Sequence, residues 1–315
     1  MEMSGDLKTI DTAHSQREHY PHEGSMELAP KPEPYRSFDA HQQAHQYRWP
    51  VGRKRVLGHS HLLGCCVASR DAANSLCVLC ILMVVVLIFL ISVVPRGEVY
   101  SYVIVSVFSF FALVSLAFSV LVDPGILLPL PPDPERQPQI VIVNGKEVLC
   151  KVCPTCHIVR PPRSTHCRFC DYCVEEFDHH CGVLGSCVAK RTFRFFAGFF
   201  IFTSVLVFYV GIRSVLALVK MDYSANGGEA HWSVAAAIIC VAAALLSGCI
   251  VAPMAVYYVC LGCLNSTQKE TARLGLGVCE PNHDYHEGYC RNFWRRYFGP
   301  LGDSRINSQN AESMV

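Results

Sequence analysis

At 315 residues the chain could hold one large domain or two, and length does not choose between them. About half of it is hydrophobic (51%) and only 17% is charged, with the apolar residues gathered into runs, which excludes an ordinary soluble globule and points to a membrane protein. The formal charge of +1 selects no partner, because a balanced total conceals local asymmetry.

The 18 cysteines are too many for a typical cytosolic enzyme and fit either a disulfide framework or metal binding with reactive thiols. Met1-Glu2-Met3 opens no basic stretch followed by an apolar core, so it does not read as a signal peptide, and metal binding is the expectation. Residues 1–74 read as a cytosolic tail, polar and largely disordered over the first 50 or so. The irregularly spaced His14, His19, His22, His41 and His45 are expected to be solvated there. Arg53-Lys54-Arg55 reads as a membrane-flanking basic patch.

Four apolar runs follow: Leu76 to Val94, Val99 to Val122, Phe195 to Val219, and Val234 to about Cys263. A hydrocarbon core of roughly 30 Å takes about 20 helical residues, and each run supplies them. The expected fold is an all-α polytopic membrane protein, with helices 1 and 2 within 75–122 and helices 3 and 4 within 193–263. A cysteine-rich domain over 123–192 separates the pairs, and 264–315 follows. Pro253 need not break the fourth span, since neighbouring helices can satisfy freed backbone groups, and Arg213 is expected to snorkel to the far interface. Lys and Arg crowd the N-terminal flank (Arg48, Arg53, Lys54, Arg55, Arg70), the central loop and the C-terminal flank, while the two short loops offer little beyond Arg96 and Lys220. Both termini and the central loop are therefore expected in the cytosol. The sequon Asn265-Ser266-Thr267 would then lie on the side where no glycan is added.

The chemistry is concentrated in the central loop. Cys153-Pro-Thr-Cys156 is followed by His166-Cys167-Arg-Phe-Cys170-Asp-Tyr-Cys173, then Asp178-His179-His180-Cys181, and Cys187 closes the set. Two Cys-x-x-Cys knuckles with His and Cys at intermediate spacing are a strong zinc signal. Leaving Cys181 aside, eight candidates (Cys153, Cys156, His166, Cys167, Cys170, Cys173, His180 and Cys187) would fill two four-ligand sites. Spacing also admits a first knuckle shifted to Cys150 and Cys153, with His157 nearby. It admits two roles for Cys181: one more structural ligand, or a nucleophile. A reactive cysteine must be a thiolate, which a nearby His and an orienting carboxylate can secure, and His179 and Asp178 are those residue types.

From about residue 47 to 299 the sequence resembles the DHHC family of protein S-acyltransferases. The match is most specific from Cys153 to Cys187, including Arg160-Pro-Pro-Arg163 and Phe177-Asp-His-His-Cys181. The resemblance implies two structural zinc ions, one held by Cys153, Cys156, His166 and Cys173, the other by Cys167, Cys170, His180 and Cys187. It implies Cys181 as the acyl-accepting nucleophile, His179 as general base and Asp178 as its orienting partner. Asp123-Pro-Gly125 and Tyr289-Cys-Arg-Asn292-Phe-Trp294 match further family elements. Two departures stand out. Thr267-Gln268-Lys269-Glu270 lacks the family's second Thr, and Gly182-Val183 replaces the usual Pro-Trp after the nucleophile.

The implied reaction moves a palmitoyl or similar chain from long-chain acyl-CoA through acyl-Cys181 to cysteines of substrate proteins, cytosolic or membrane-associated, in an endomembrane (Golgi or ER) or plasma-membrane setting. Burial is worth roughly 0.8 kcal/mol per CH₂, so the acyl chain belongs among the helices of the lipid bilayer while CoA stays in water. Lys190, Arg191 and Arg194 are candidates for the CoA phosphates. Cys65-Cys66 are candidates for S-acylation themselves. The competing expectation is a silent, zinc-stabilised membrane scaffold, supported by Gly182-Val183. Nucleic acid is not expected as a partner, because no basic recognition helix accompanies the knuckles.

Overall fold

The computed structural model describes residues 54–60, 64–69, 73–95, 97–220, 228–275, 277, 280 and 284–306. The expectations for the tail before residue 54, and for the side chains of Cys65 and Cys66, lie outside what is described. A hairpin of β1 (Lys54–Ser60) and β2 (Gly64–Ser69) precedes the first long helix.

Among the described residues four helices are long and apolar enough to cross a membrane, and the chain is an integral membrane protein. They are α1 (Ala73–Ile88, continued by a π-helical turn at Phe89–Val93), α2 (Val99–Leu121), α3 (Phe193–Lys220) and α4 (Gly228–Leu264). Their bounds fall within a few residues of the apolar runs, except that α4 starts earlier. Pro253 lies inside α4 without ending it. At 1.5 Å per residue the 23 residues of α2 reach about 35 Å, enough for a hydrocarbon core.

Between apolar helices close packing must replace the hydrophobic effect, and small residues permit it. A Cβ at Gly198 would meet the Ser115 hydroxyl at 3.1 Å, and one at Gly211 would meet Ala244 Cβ at 3.1 Å, so α3 runs close to both α2 and α4. Ser101 and Tyr209 add a hydroxyl pair at 2.7 Å between α2 and α3. Arg213 does not simply reach for water. Its guanidinium pairs with Glu98 at the start of α2 and lies over the Tyr100 ring, at the end of the bundle opposite the cysteine-rich domain.

The cysteine-rich segment carries no strand expectation from the sequence, yet it is built of short strands. β3 (Ile126–Leu127), β7 (Tyr172–Val174) and β6 (Thr165–Cys167) form a three-stranded antiparallel sheet in that order. β4 (Gln139–Val143) pairs with β5 (Lys146–Cys150), and β8 (His179–Cys181) with β9 (Ser186–Val188).

Buried polar clamps fasten this lobe to the helix ends. Asp123, fully buried, accepts from the N–H groups of Gly125 and Ile126 at 3.0 Å and from the Ser304 hydroxyl at 2.7 Å. The chain can turn there because Gly125 adopts φ +106°, open to glycine at little cost. After α4, helix α5 (Gln268–Leu274) begins with a capping box. Thr267 accepts the Glu270 N–H at 3.2 Å, and Glu270 accepts the Thr267 N–H at 3.0 Å. Glu270 also receives Arg163 in a two-pronged ion pair, both contacts at 2.7 Å, while Arg163 donates to the Asn265 carbonyl at 2.8 Å. The sequon residue Asn265 is thus buried in this clamp, at 2% exposure. In α6 (Tyr289–Phe298), Asn292 donates to the Cys263 carbonyl at 2.9 Å, satisfying an orphan carbonyl at the end of α4.

The Arg163 side chain is 6% exposed. Removing its carboxylate partner leaves a buried cation poorly compensated, a loss of about 3–5 kcal/mol. Glu270→Ala is accordingly expected to lower the thermal midpoint of the detergent-solubilised protein sharply, while Glu270→Gln, which keeps the cap, loses less.

Candidate active site and metal centres

Cys153-Pro-Thr-Cys156 and Cys167-Arg-Phe-Cys170 fold as the same turn twice. In each, the residue after the second cysteine donates back to the first: His157 N–H to the Cys153 carbonyl and Asp171 N–H to the Cys167 carbonyl, at 2.8 and 2.7 Å. His157 and Asp171 reach this contact in the left-handed region, at φ +54° and +60°, which His and Asp tolerate better than most residues. Each turn faces a hairpin. The β6–β7 register sets His166 opposite Cys173, and the β8–β9 register sets His180 opposite Cys187.

Two clusters result, Cys153/Cys156/His166/Cys173 and Cys167/Cys170/His180/Cys187, the ligand atoms of each lying within 4.8 Å of one another. Every member of the first recurs 14 residues later in the second, so the two sets interleave along the chain. A tetrahedral zinc with Zn–S about 2.3 Å and Zn–N about 2.0 Å requires S···N edges of about 3.5 Å and S···S edges of about 3.8 Å. His166 Nδ1 lies 3.6, 3.3 and 4.0 Å from the sulfurs of Cys153, Cys156 and Cys173. His180 Nδ1 lies 3.6, 3.4 and 3.8 Å from those of Cys167, Cys170 and Cys187, with Cys170 and Cys187 3.5 Å apart. The donor sets fit zinc. His166 turns its other nitrogen toward Asp171 at 3.5 Å, the carboxylate support common behind a metal-bound imidazole. Cys150, at the end of β5, and His157 belong to neither cluster, which resolves the shifted-knuckle alternative.

Cys181 also stands outside both clusters. The sequence leaves open how consecutive residues could face one another, and a chain bend imposed by metal ligation was the expected means. Strand geometry does it instead. Successive side chains of a strand point to opposite faces, so in β8 His180 turns to its cluster while His179 and Cys181 share the other side.

Asp178 precedes them with its carboxylate buried. One oxygen lies 2.9 Å from His179 Nδ1 and the other accepts the Gln268 N–H at 2.7 Å. That second contact is made by the main chain, so the missing Thr at position 268 does not remove it. The His179 ring packs edge-on against Phe196 (5.3 Å between centroids) and beside Tyr258. Burial disfavours charge on this imidazole, but hydrogen bonds with Asp178 and Cys181 outweigh it and raise its pKa to about 9. For Cys181, burial disfavours the thiolate, yet His179 and the N–H groups of Leu184 and Val183 hold the thiol below its ordinary value. The sulfur packs on an apolar cluster drawn from the helix ends: Leu116 and Val120 of α2, Phe193 and Phe196 of α3, Tyr258 and Leu261 of α4.

Lys190, Arg191 and Arg194 are not presented together. Arg191 is buried, donating to the carbonyls of Asp123 and Gly302. Arg194 donates to the Gly299 carbonyl at 2.6 Å, and Lys190, exposed, pairs with Glu175 at 2.9 Å. A groove of about 410 Å³ opens instead beside Asp178 and His179, lined by Arg168, Phe169, Phe177, Gln268 and Lys269 among others. Sequence reasoning did not single out Arg168 or Lys269, because their placement depends on α5 folding back against the cysteine-rich lobe.

Residues 147–274 match the family model described as DHHC palmitoyltransferase. The chain carries a DHHC domain. It is 34% identical over 139 residues to palmitoyltransferase ZDHHC8 of Mus musculus, a stretch covering 42% of this chain and 18% of that protein. It is 31% identical over 221 residues to probable protein S-acyltransferase 6 of Arabidopsis thaliana, covering 64% of this chain and 53% of the plant protein. Palmitoyltransferase ZDHHC14 of Homo sapiens is 41% identical over 122 residues, 32% of this chain and 25% of that one. The chain therefore spans about half or less of the length of these relatives. Both clusters and Asp178, His179 and Cys181 lie within the matched stretch.

Metal analysis of the purified protein is expected to give two zinc per chain, unchanged in Cys181→Ser. His166→Ala and His180→Ala each lose zinc and lower the thermal midpoint, because the ligand sets brace one another.

Proposed function

We propose that this protein is a protein S-acyltransferase that carries a long-chain acyl group from acyl-CoA, through a thioester on Cys181, to cysteine thiols of other proteins. The observation that carries this reading is a cysteine excluded from both metal clusters, two residues along one strand from an Asp-oriented imidazole, at the ends of the spanning helices. The DHHC domain and the relatives named as acyltransferases support it.

Zinc in the two four-ligand sets would be structural, since neither leaves a position open for a reactant. The chemistry falls to the chain's own groups. In the resting pair the proton sits on His179 and Cys181 is the thiolate, the distribution favoured by the directions in which both groups are shifted. The thiolate attacks the carbonyl carbon of the acyl thioester. The bond to the CoA sulfur breaks, and His179 returns its proton to the departing thiolate. His179, now neutral, accepts the proton of an acceptor cysteine, whose thiolate attacks acyl-Cys181. The bond to Sγ breaks, restoring the thiolate–imidazolium pair. One thioester replaces another at each step, so no energy source is consumed. The groove beside His179 offers the aqueous approach, with Arg168 and Lys269 on its wall. Lys190 is the more exposed of the three cations near α3 and remains a candidate for a CoA phosphate. With the cysteine-rich lobe in the cytosol, both termini would lie there too.

Incubation with labelled palmitoyl-CoA is expected to give a hydroxylamine-sensitive label on the wild-type protein and none on Cys181→Ser. A folded, zinc-loaded wild-type protein without label would favour the scaffold. Self-acylation should rise with pH as Cys181 ionises and fall above about pH 9, where His179 loses the proton that the departing thiolate needs. Asp178→Asn removes the charge that holds the imidazolium, so initial rates measured across the range should show this alkaline limb moved toward about 6.5.

A further inference from the structure

The residues following the nucleophile, Gly182 and Val183, are exposed, and a Cβ on Gly182 would meet nothing within 4 Å. Glycine brings the greatest backbone freedom of any residue to this turn. Yet this turn directly follows Cys181 and joins β8 to β9, so its shape bears on where the sulfur sits. Something outside the turn must hold it.

Each peptide N–H lies in one rigid plane with the carbonyl of the preceding residue. The N–H of Val183 therefore moves with the Gly182 carbonyl, and that of Leu184 with the Val183 carbonyl. Both carbonyls are held from the opposite side by consecutive residues in the first turn of α1. Asn74 Nδ2 donates to the Gly182 carbonyl at 3.2 Å, and the Ser75 hydroxyl donates to the Val183 carbonyl at 2.8 Å. Ser75 is buried and its contact is partly so, while that of Asn74 lies at the surface.

We infer that Asn74 and Ser75 are positioning residues for the nucleophile, each fixing one of the two peptide planes in the turn that follows Cys181. Neither touches the reacting atoms. They supply through α1 the stiffness that Gly182 does not supply through the chain. A contact serving only to hold α1 against the lobe would not need to fall on these two planes. The inference rests on the acyl relay proposed above.

The test measures the single-turnover rate of Cys181 acylation by palmitoyl-CoA, with KM and zinc content, in near-isosteric variants. Asn74→Asp loses the donor and keeps the shape; Ser75→Val and Ser75→Thr differ in the hydroxyl alone. The expected result is a rate about ten-fold lower in Asn74→Asp and Ser75→Val, the scale of one lost hydrogen bond. KM should stay within about two-fold, Ser75→Thr should remain near wild type, and zinc should stay at two per chain. Wild-type rates in Ser75→Val and Asn74→Asp overturn the inference, as do a loss in Ser75→Thr equal to that in Ser75→Val, an effect confined to KM, or zinc loss in the slow variants. Absence of label on the wild-type protein itself overturns the relay, and this inference with it.

Discussion

A cysteine-rich lobe that rests on a membrane bundle has few apolar residues of its own to bury. All six ligand cysteines lie in its two small cores, beside Ile126, Leu127, Ile158, Tyr172 and Val174 among others. Order there depends on the interleaving of two Cys₃His sets. Cys167 and Cys170 open the second set before Cys173 completes the first, so neither can close without bringing the other's ligands near. The 14-residue offset means one strand of each hairpin serves two purposes at once. Fixing His180 to its cluster fixes β8, and fixing β8 determines the face on which His179 and Cys181 meet. The reactive pair is positioned by a residue that takes no part in its chemistry.

The same economy appears where the lobe meets the helices. Asp123, Arg163, Glu270 and Asn292 are all largely buried, and each satisfies backbone groups at a helix end or turn as well as linking separate parts of the chain. Asp178 belongs with them. One of its oxygens anchors the start of α5 while the other orients His179, so the geometry of the imidazole is referred directly to the segment leaving α4. A carboxylate with only the second contact would be free to rotate.

Most of the bundle was legible in the sequence, as were the two knuckles, but spacing left Cys150 and His157 open and the division into two sets came from the family resemblance. The apolar runs are long and nearly free of charge, so helix length follows from hydropathy with little competition, and the knuckles recur at a fixed offset. The shortest strands of the cysteine-rich lobe were not legible, because runs of three residues such as Thr165–Cys167 have no periodicity to detect, whereas the β4–β5 hairpin is signalled by its two-residue turn Asn144-Gly145 and was passed over. The roles of Lys190, Arg191 and Arg194 were obscured for a related reason. Near a membrane, cationic side chains look alike in sequence, and only the turn at Asp123–Gly125 shows that Arg191 is enclosed. Arg213 reaches toward the far end of the bundle, and what the sequence did not show is Glu98 as its partner there. Local pattern predicts elements well, but it does not predict which buried charge an exposed-looking residue will find.

The substitution of Gly182-Val183 for Pro-Trp reads differently with these contacts in view. In the sequence it looks like the loss of a rigid, bulky wall beside the acylated sulfur, and hence the main argument for a silent scaffold. The structure leaves space at Gly182 but does not leave the backbone loose, because the carbonyls of Gly182 and Val183 are both held by α1. Rigidity that a proline would build into the chain is provided from outside it, and the bulk that a tryptophan would add is simply absent. The departure therefore bears on the space offered beside the sulfur more than on the geometry of the nucleophile. The Asp178–His179 contact and the place of Cys181 on β8 are kept across this departure, so it gives no structural ground for preferring a silent scaffold to the reading proposed above.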